Sequence, residues 1–203
     1  MGLDAFALNI QQPDAYWTAP ALQLLFTAAS ATTFKLFLNM DMAAISTPIH
    51  FVPLFQKYSS HPSYYTYSNR PFLSTFRGAA NTTPQTWNSL LTSLTTNGHP
   101  RPYFVPNFDD WQNPNPYSST HAFTSEFFST FGNTIDGVMA WETAWPFAGE
   151  SIAAPNKQDT LNFASATAAK KTYMLPISTF QSKHLDPQNN WVRKGGLTLP
   201  LKM

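Results

Sequence analysis

Six short apolar runs in this chain each end in side chains that can do chemistry. Ala5 to Leu8 runs into Asn9, and Lys35 to Met40 into Asp41. Phe72 to Phe76 closes on Thr75 to Arg77. Tyr103 to Pro106 leads into Asn107, with Asp109 and Asp110 close behind. Gly137 to Ala140 meets Trp141 and Glu142, with Trp145 just beyond, and Tyr173 to Ile177 meets Ser178. Carboxylates, amides and Trp side by side suit a sugar: hydroxyls bond to Asp, Glu and Asn, and the apolar ring face packs on an aromatic. A nucleotide site would instead show glycines and backbone amides. The first run is followed by Asn9-Ile10-Gln11-Gln12, and neither GxGxxG nor a P-loop occurs.

Some of these groups have a structural reading as well. Asp41 is equally suited to cap the turn that follows it. Asp109 and Asp110 head a Pro- and Asn-rich loop, Trp111 to Ser119, where turn residues are expected. Glu142, flanked by Trp141 and Trp145, is harder to explain as structure. Asp4 and Asp136 precede their runs and suit capping at the opposite strand ends. The five histidines show no i, i+4 pair, and there is no cysteine. No metal site or other cofactor is therefore expected. GxSxG is absent, so no nucleophile elbow is visible. Asn81-Thr82-Thr83 is a glycosylation sequon, informative only in a secreted protein.

The elements that must position these residues recur at a regular pitch. The runs begin at 5, 35, 72, 103, 137 and 173. Near-continuous apolar runs of this length suit strands buried on both faces, as in parallel sheets. Helical patterns fill the gaps: Ala15 to Ser30, where Pro20 is expected to bend or restart the helix; Pro48 to Tyr58; Pro84 to a stop at Gly98; a stretch with Phe123, Phe127 and Phe131 that ends at Gly132; and about Lys157 to Lys171. Strand, helix, strand predicts an α/β fold, either a (β/α)8 barrel or a doubly wound sheet. The missing Gly-rich first turn favours the barrel. A complete barrel takes about 250 residues and eight units, so the expectation is an incomplete (β/α)8 TIM-type barrel of about six parallel strands. Residues 1–203 read as a single partial domain.

Composition excludes other classes. Charged residues are 11% of the 203, aromatics 15%, and the formal net charge is +1. Many aromatics and little net charge argue against a disordered chain. Basic residues are few and scattered, so no nucleic-acid partner is expected. No run of about 18 apolar residues occurs, so no membrane span is expected. Met1 to Ile10 lacks the basic region and length of a signal peptide.

The runs also carry a resemblance. Gly2 to Asn9, Phe34 to Asp41, Pro71 to Phe76, Phe104 to Phe108, Asp136 to Pro146, and Tyr173 to Ser178 followed by Asn190-Trp191-Val192, in that order, resemble fungal glycoside hydrolase family 71. The resemblance implies an α-1,3-glucanase (mutanase) catalytic domain acting on the α-1,3-glucan of fungal walls with inversion. Inversion needs two carboxyl groups about 6.5–9.5 Å apart. It also implies an extracellular or cell-wall location.

Two departures stand out. Arg77 occupies a position where the family pattern has a small residue before Gly78. The family's Trp-Asn-Asp-Tyr-Gly-Glu segment, with which its acid pair is associated, does not occur here. On this mapping the chain holds strands two to seven of eight, with exposed edges, and its catalytic residues remain unassigned. Asn9, Asp41, Asn107, Asp109, Trp141, Glu142 and Trp145 would line a glucan-binding cleft. The alternatives are a non-catalytic glucan-binding remnant and a truncated product that is unstable without a partner.

Overall fold

A computed structural model of the chain describes residues 4–108, 111, 123–141, 153–175, 180–183 and 191–194. The elements run β1 (Ala5–Ile10), α1 (Thr18–Ser30), β2 (Lys35–Asp41), α2 (Val52–Tyr58), β3 (Thr66–Tyr67), β4 (Arg70–Phe76), α3 (Pro84–Leu94) and β5 (Tyr103–Pro106). They continue with α4 (Ser125–Phe131), β6 (Gly137–Met139), α5 (Ala153–Ala168), β7 (Thr172–Met174), β8 (Phe180–Lys183) and β9 (Trp191–Lys194).

The six expected strands are β1, β2, β4, β5, β6 and β7, and they pair in parallel. β1, β2, β4 and β5 lie side by side in that order. β6 pairs with β7. The Asp136 N–H donates to the Phe104 carbonyl at 2.8 Å, so β6 follows β5 around the curve. This is an incomplete (β/α)8 TIM-type barrel. Among the described residues β1 has β2 as its one strand partner, and its outward Phe6 is 57% exposed.

Local chemistry explains the helix boundaries. α1 begins at Thr18, so Pro20 sits in the first turn, where a missing N–H costs nothing, and the helix neither bends nor restarts. A 3₁₀ turn, Pro48–Phe51, precedes α2. α3 opens on a reciprocal cap: Thr83 Oγ1 accepts from the Thr86 N–H at 3.2 Å, and Thr86 Oγ1 accepts from the Thr83 N–H at 3.4 Å. α5 starts four residues before the expected position.

The core lies between the sheet and its helices. Trp87 of α3 packs on Phe104 and Phe108, with ring centroids 5.3 and 5.2 Å apart. Phe131 of α4 meets Phe108 at 5.1 Å. All four rings are fully buried, and side chains of this size contribute about 2–3 kcal/mol each by burial.

Two antiparallel pairs were not expected. β3 pairs with the start of β4 across Ser68 and Asn69, which take φ of 50° and 58°. That is the two-residue turn in which Asn is favoured. β8 pairs with β9, which places Trp191 and Val192 in a hairpin outside the parallel set.

Candidate functional site

The parallel register fixes which side chains share the inner face. Asn9 pairs with Asn39, Asn39 with Ser74, and Asp41 with Phe76. Side chains alternate along a strand. Ala5, Ala7 and Asn9 therefore share a face with Phe37, Asn39 and Asp41, and with Ser74 and Phe76. The helix-facing set is Leu36, Leu38 and Met40, all buried. Asn9, Asp41, Phe76, Asn107 and Trp141 all stand at carboxyl ends of strands, where ligands bind in α/β folds.

The polar wall is a short chain of hydrogen bonds. Asn39 Nδ2 donates to Asn9 Oδ1 at 2.9 Å, and Asn9 Nδ2 donates to Asp41 Oδ2 at 3.1 Å. The Ala43 N–H donates to Asp41 Oδ1 at 3.1 Å. One Asp41 oxygen thus caps the following turn, and the other accepts from Asn9. The carboxylate is 6% exposed and has no cation within 4.0 Å among the described residues. Asn39 Oδ1 is buried without a hydrogen-bond partner. A buried acceptor left open is costly.

The opposite wall is aromatic. Trp141, 41% exposed, meets Phe76 edge-on with ring centroids 5.6 Å apart. A cavity of about 570 Å³ opens between the walls, lined by Ala7, Asn9, Phe37, Asn39, Phe76 and Trp141. Asn107 is fully buried behind them. Its Nδ2 donates to the Met139 carbonyl at 3.0 Å, and its Oδ1 accepts from the Arg77 N–H at 3.1 Å. Asn107 therefore ties the ends of β4, β5 and β6 together and supports the mouth rather than lining it.

Asn9, Asp41 and Trp141 come together at the mouth. Asp109, Glu142, Trp145 and Ser178 lie outside the described residues. Asn39 and Phe76 belong to the site without having been singled out as site residues. Period-two spacing would have found Asn39, which precedes Asp41 by two; Phe76 was named among the strand-end residues Thr75 to Arg77, but its place opposite Asp41 comes from the register. A larger, mostly apolar groove of about 880 Å³ runs between β1 and α1. It lies on the helix side of the sheet. No group of three or more His, Cys, Asp or Glu poised to hold a metal occurs among the described residues. No described helix is long and apolar enough to cross a membrane.

The glycosyl hydrolase family 71 model matches residues 1–203. Among curated relatives, a mutanase of Penicillium rubens is 29% identical over 95% of this chain and 39% of its own length. The glucan endo-1,3-alpha-glucosidase agn1 of Schizosaccharomyces pombe is 28% identical over 96% of this chain and 43% of its own. An ascus wall endo-1,3-alpha-glucanase of the same yeast is 24% identical, over 93% and 42%. The chain thus spans about two-fifths of the length of these relatives. Among solved structures, a GH99 endo-alpha-mannosidase of Bacteroides thetaiotaomicron aligns with a TM-score of 0.61 at 12% identity. The match covers 91% of this chain and 55% of that one, and it supports the barrel fold alone. With six strand-end motifs in order and a family match from first residue to last, the chain belongs to glycosyl hydrolase family 71.

Proposed function

We propose that the mouth of this partial barrel is an α-1,3-glucan-binding cleft of a family 71 hydrolase domain. The observation that carries the reading is the pairing of walls: Asn39 and Asn9, tied on to Asp41, line the cavity that Phe76 and Trp141 also line. A glucose unit would lay its apolar face on Trp141 and hydrogen-bond its hydroxyls to the side-chain amides of Asn9 and Asn39. Asp109, Glu142 and Trp145 would extend the cleft from the neighbouring loops. The names of the relatives support α-1,3-glucan as the polymer.

The reaction in the whole domain would be inverting hydrolysis, with an acid and a base flanking one bound water. We assign that pair to the Trp-Asn-Asp-Tyr-Gly-Glu segment that this sequence does not contain. These 203 residues would then bind the polymer without cleaving it.

The test is reducing-sugar release from insoluble α-1,3-glucan by the purified chain, with co-sedimentation on the same glucan and a thermal melt. The expected result is cooperative melting and retention on the glucan without release. Release that Glu142→Gln abolishes would place the acid pair inside the chain. A folded chain that does not sediment with the glucan would sink the binding reading.

A further inference from the structure

We propose that Trp17, with the side-chain amides of Gln11 and Gln12, forms a second sugar platform beside the mouth, so that binding strengthens as the glucan chain lengthens. The proposal deepens the glucan-binding reading and rests on it for the identity of the polymer.

The starting observation is a pair of large rings left in solvent. The chain leaves β1 at its carboxyl end, the end that carries Asn9 and Asp41, and reaches α1 through residues 11–17. Tyr16 is 87% exposed and Trp17 52% exposed. Their ring centroids lie 5.0 Å apart with the planes nearly perpendicular. Trp17 holds the N-cap position of α1 and makes no side-chain cap there, although Ser, Thr, Asp or Asn would cap the helix and stabilise it. An indole that neither caps the helix nor reaches the core is the informative kind of surface residue.

The turn that presents the ring is fixed. The Gln12 carbonyl accepts from the Ala15 N–H at 3.2 Å and from Thr18 Oγ1 at 2.6 Å. Pro13 and Thr18 are buried, while Gln11 and Gln12 are exposed. Asp14 Oδ2 pairs with His50 Nδ1 at 2.6 Å, which fastens the segment to the 3₁₀ turn after β2. A platform held in place before its ligand arrives gives up little freedom on binding.

The platform adjoins the mouth. Gln11, Gln12 and Trp17 line the groove of about 880 Å³, and so do Phe6, Ala7 and Asn9. Those last three also line the mouth cavity, so the two spaces meet along β1, with Asn9 at the junction. The chemistry of the mouth is repeated: two amides and an indole here, two amides with Phe76 and Trp141 there. No charged side chain lines either space. That suits a neutral polymer whose hydroxyls meet amides and whose ring faces meet aromatics. Further along the groove the lining turns to Leu25, Ala28 and Phe34, with no side-chain amide, so the platform is confined to the end beside the mouth. Continuity with the mouth decides the occupant: the next glucose units of the chain bound there.

The experiment titrates the purified chain with soluble α-1,3-gluco-oligosaccharides, from the disaccharide to the hexasaccharide, by isothermal titration calorimetry. A thermal melt accompanies each variant. The hexasaccharide should bind about two- to tenfold more tightly than the disaccharide, the contribution of one further stacked ring. Trp17→Ala should remove most of that gain, and Trp17→Phe should restore part of it. Trp17→Leu keeps apolar bulk against the groove and gives up the aromatic face, so it should lose the gain as Ala does. If Trp17→Ala does not melt cooperatively, the comparison of Leu with Phe carries the test.

Equal affinity for short and long oligosaccharides in the parent chain would overturn the platform and leave the mouth reading standing. So would a length gain that Trp17→Ala does not change, or one that Trp17→Leu retains. A folded chain that binds no length overturns both readings. A gain that Trp17→Ala removes, while Trp141→Ala leaves disaccharide binding as it was, keeps the platform and overturns the mouth.

Discussion

Asp136 and Asp41 are carboxylates at opposite ends of the parallel strands, the first part-buried and the second buried, and their surroundings differ in kind. Asp136 stands before β6 at the amino-terminal end. Its Oδ2 accepts from Arg70 Nη2, from Arg101 Nη1 at 3.1 Å and from the Phe104 N–H at 2.9 Å. Those cations are anchored in turn: Arg70 reaches the Pro102 carbonyl and Arg101 the Thr134 carbonyl, each at 2.8 Å. Asp41, at the carboxyl-terminal end, is held by one side-chain amide and one backbone N–H. One end spends its polar groups on the chain itself. The other leaves acceptor capacity facing a cavity. A network saturated by its own chain reads as structural, and one left open reads as a binding surface.

The largest expected effect breaks or upholds this contrast directly. Asp136→Asn leaves two arginines without their shared counter-charge and should cost about 3 kcal/mol of stability, the low end for a broken buried pair because the arginines are partly exposed. Asp41→Asn removes no ion pair and should cost about 1 kcal/mol through one reversed hydrogen bond. Urea unfolding of the two variants measures both. Retention on α-1,3-glucan should fall in Asp41→Asn and persist in whatever Asp136→Asn protein remains folded. Equal destabilisation by the two would erase the distinction between the ends.

A second test sharpens the same contrast through Tyr64. Residues 63–65 wedge between the amino-terminal halves of β2 and β4, where the two strands are not yet paired. The Leu36 N–H donates to the Ser63 carbonyl at 2.8 Å, and the Phe72 N–H donates to the Tyr65 carbonyl at 3.0 Å. Tyr64 Oη accepts from the Leu38 N–H at 3.2 Å and donates to the Phe72 carbonyl at 2.9 Å. Tyr64→Phe orphans both backbone groups and should cost about 2 kcal/mol.

Burial pushes the Tyr64 phenol well above its ordinary value of 10.0, and the Leu38 N–H offsets this only in part. Because the folded-state value is raised, the contribution is intact below the ordinary phenol range. It is lost as pH rises through the higher folded value. The stability gap between the parent chain and Tyr64→Phe should therefore be constant near neutrality and shrink above pH 10.0. A gap that does not change with pH would mean the phenol is not carrying the two bonds.

The two ends were also unequally legible in the sequence. Runs of apolar residues at a pitch of thirty-odd predicted all six parallel strands, because strands buried on both faces leave a continuous signature. The wedge at residues 63–65 left none. Ser63-Tyr64-Tyr65 mixes polar and aromatic residues without period, and its strand-like role comes from bonds to β2 and β4 that lie far away in sequence. At the mouth, Asn9, Asp41 and Trp141 were readable because each follows an apolar run. Asn39 was hidden inside such a run, where it passes for core, and Phe76, although at a strand end, reads as apolar. Asn107 was readable as polar, but its burial behind the wall depends on the Met139 carbonyl, 32 residues away. Asp136 was legible as a capping group at the far end, and its two arginines give that role its mechanism.

The smallest expected effect isolates the mouth from the core. Trp141 is 41% exposed, and its described ring contact is edge-on to Phe76. Trp141→Ala removes a ring that is only partly buried, so stability should change by less than about 1 kcal/mol. That is well under the ~3–5 kcal/mol of deleting a fully buried aromatic. Binding should respond more than folding. A sugar face stacked on the ring gains about 0.5–1.5 kcal/mol from it, so retention on α-1,3-glucan should weaken about two- to tenfold. Trp141→Phe keeps an aromatic face and should recover part of the loss. Trp87→Phe supplies the control from the core. Trp87 is fully buried and its Nε1 donates to Thr82 Oγ1 at 2.6 Å. It should lose stability and keep its glucan binding while folded. If Trp141→Ala instead destabilises like a core deletion and binds as before, the aromatic wall belongs to the scaffold, and the contrast between the two ends of the sheet disappears.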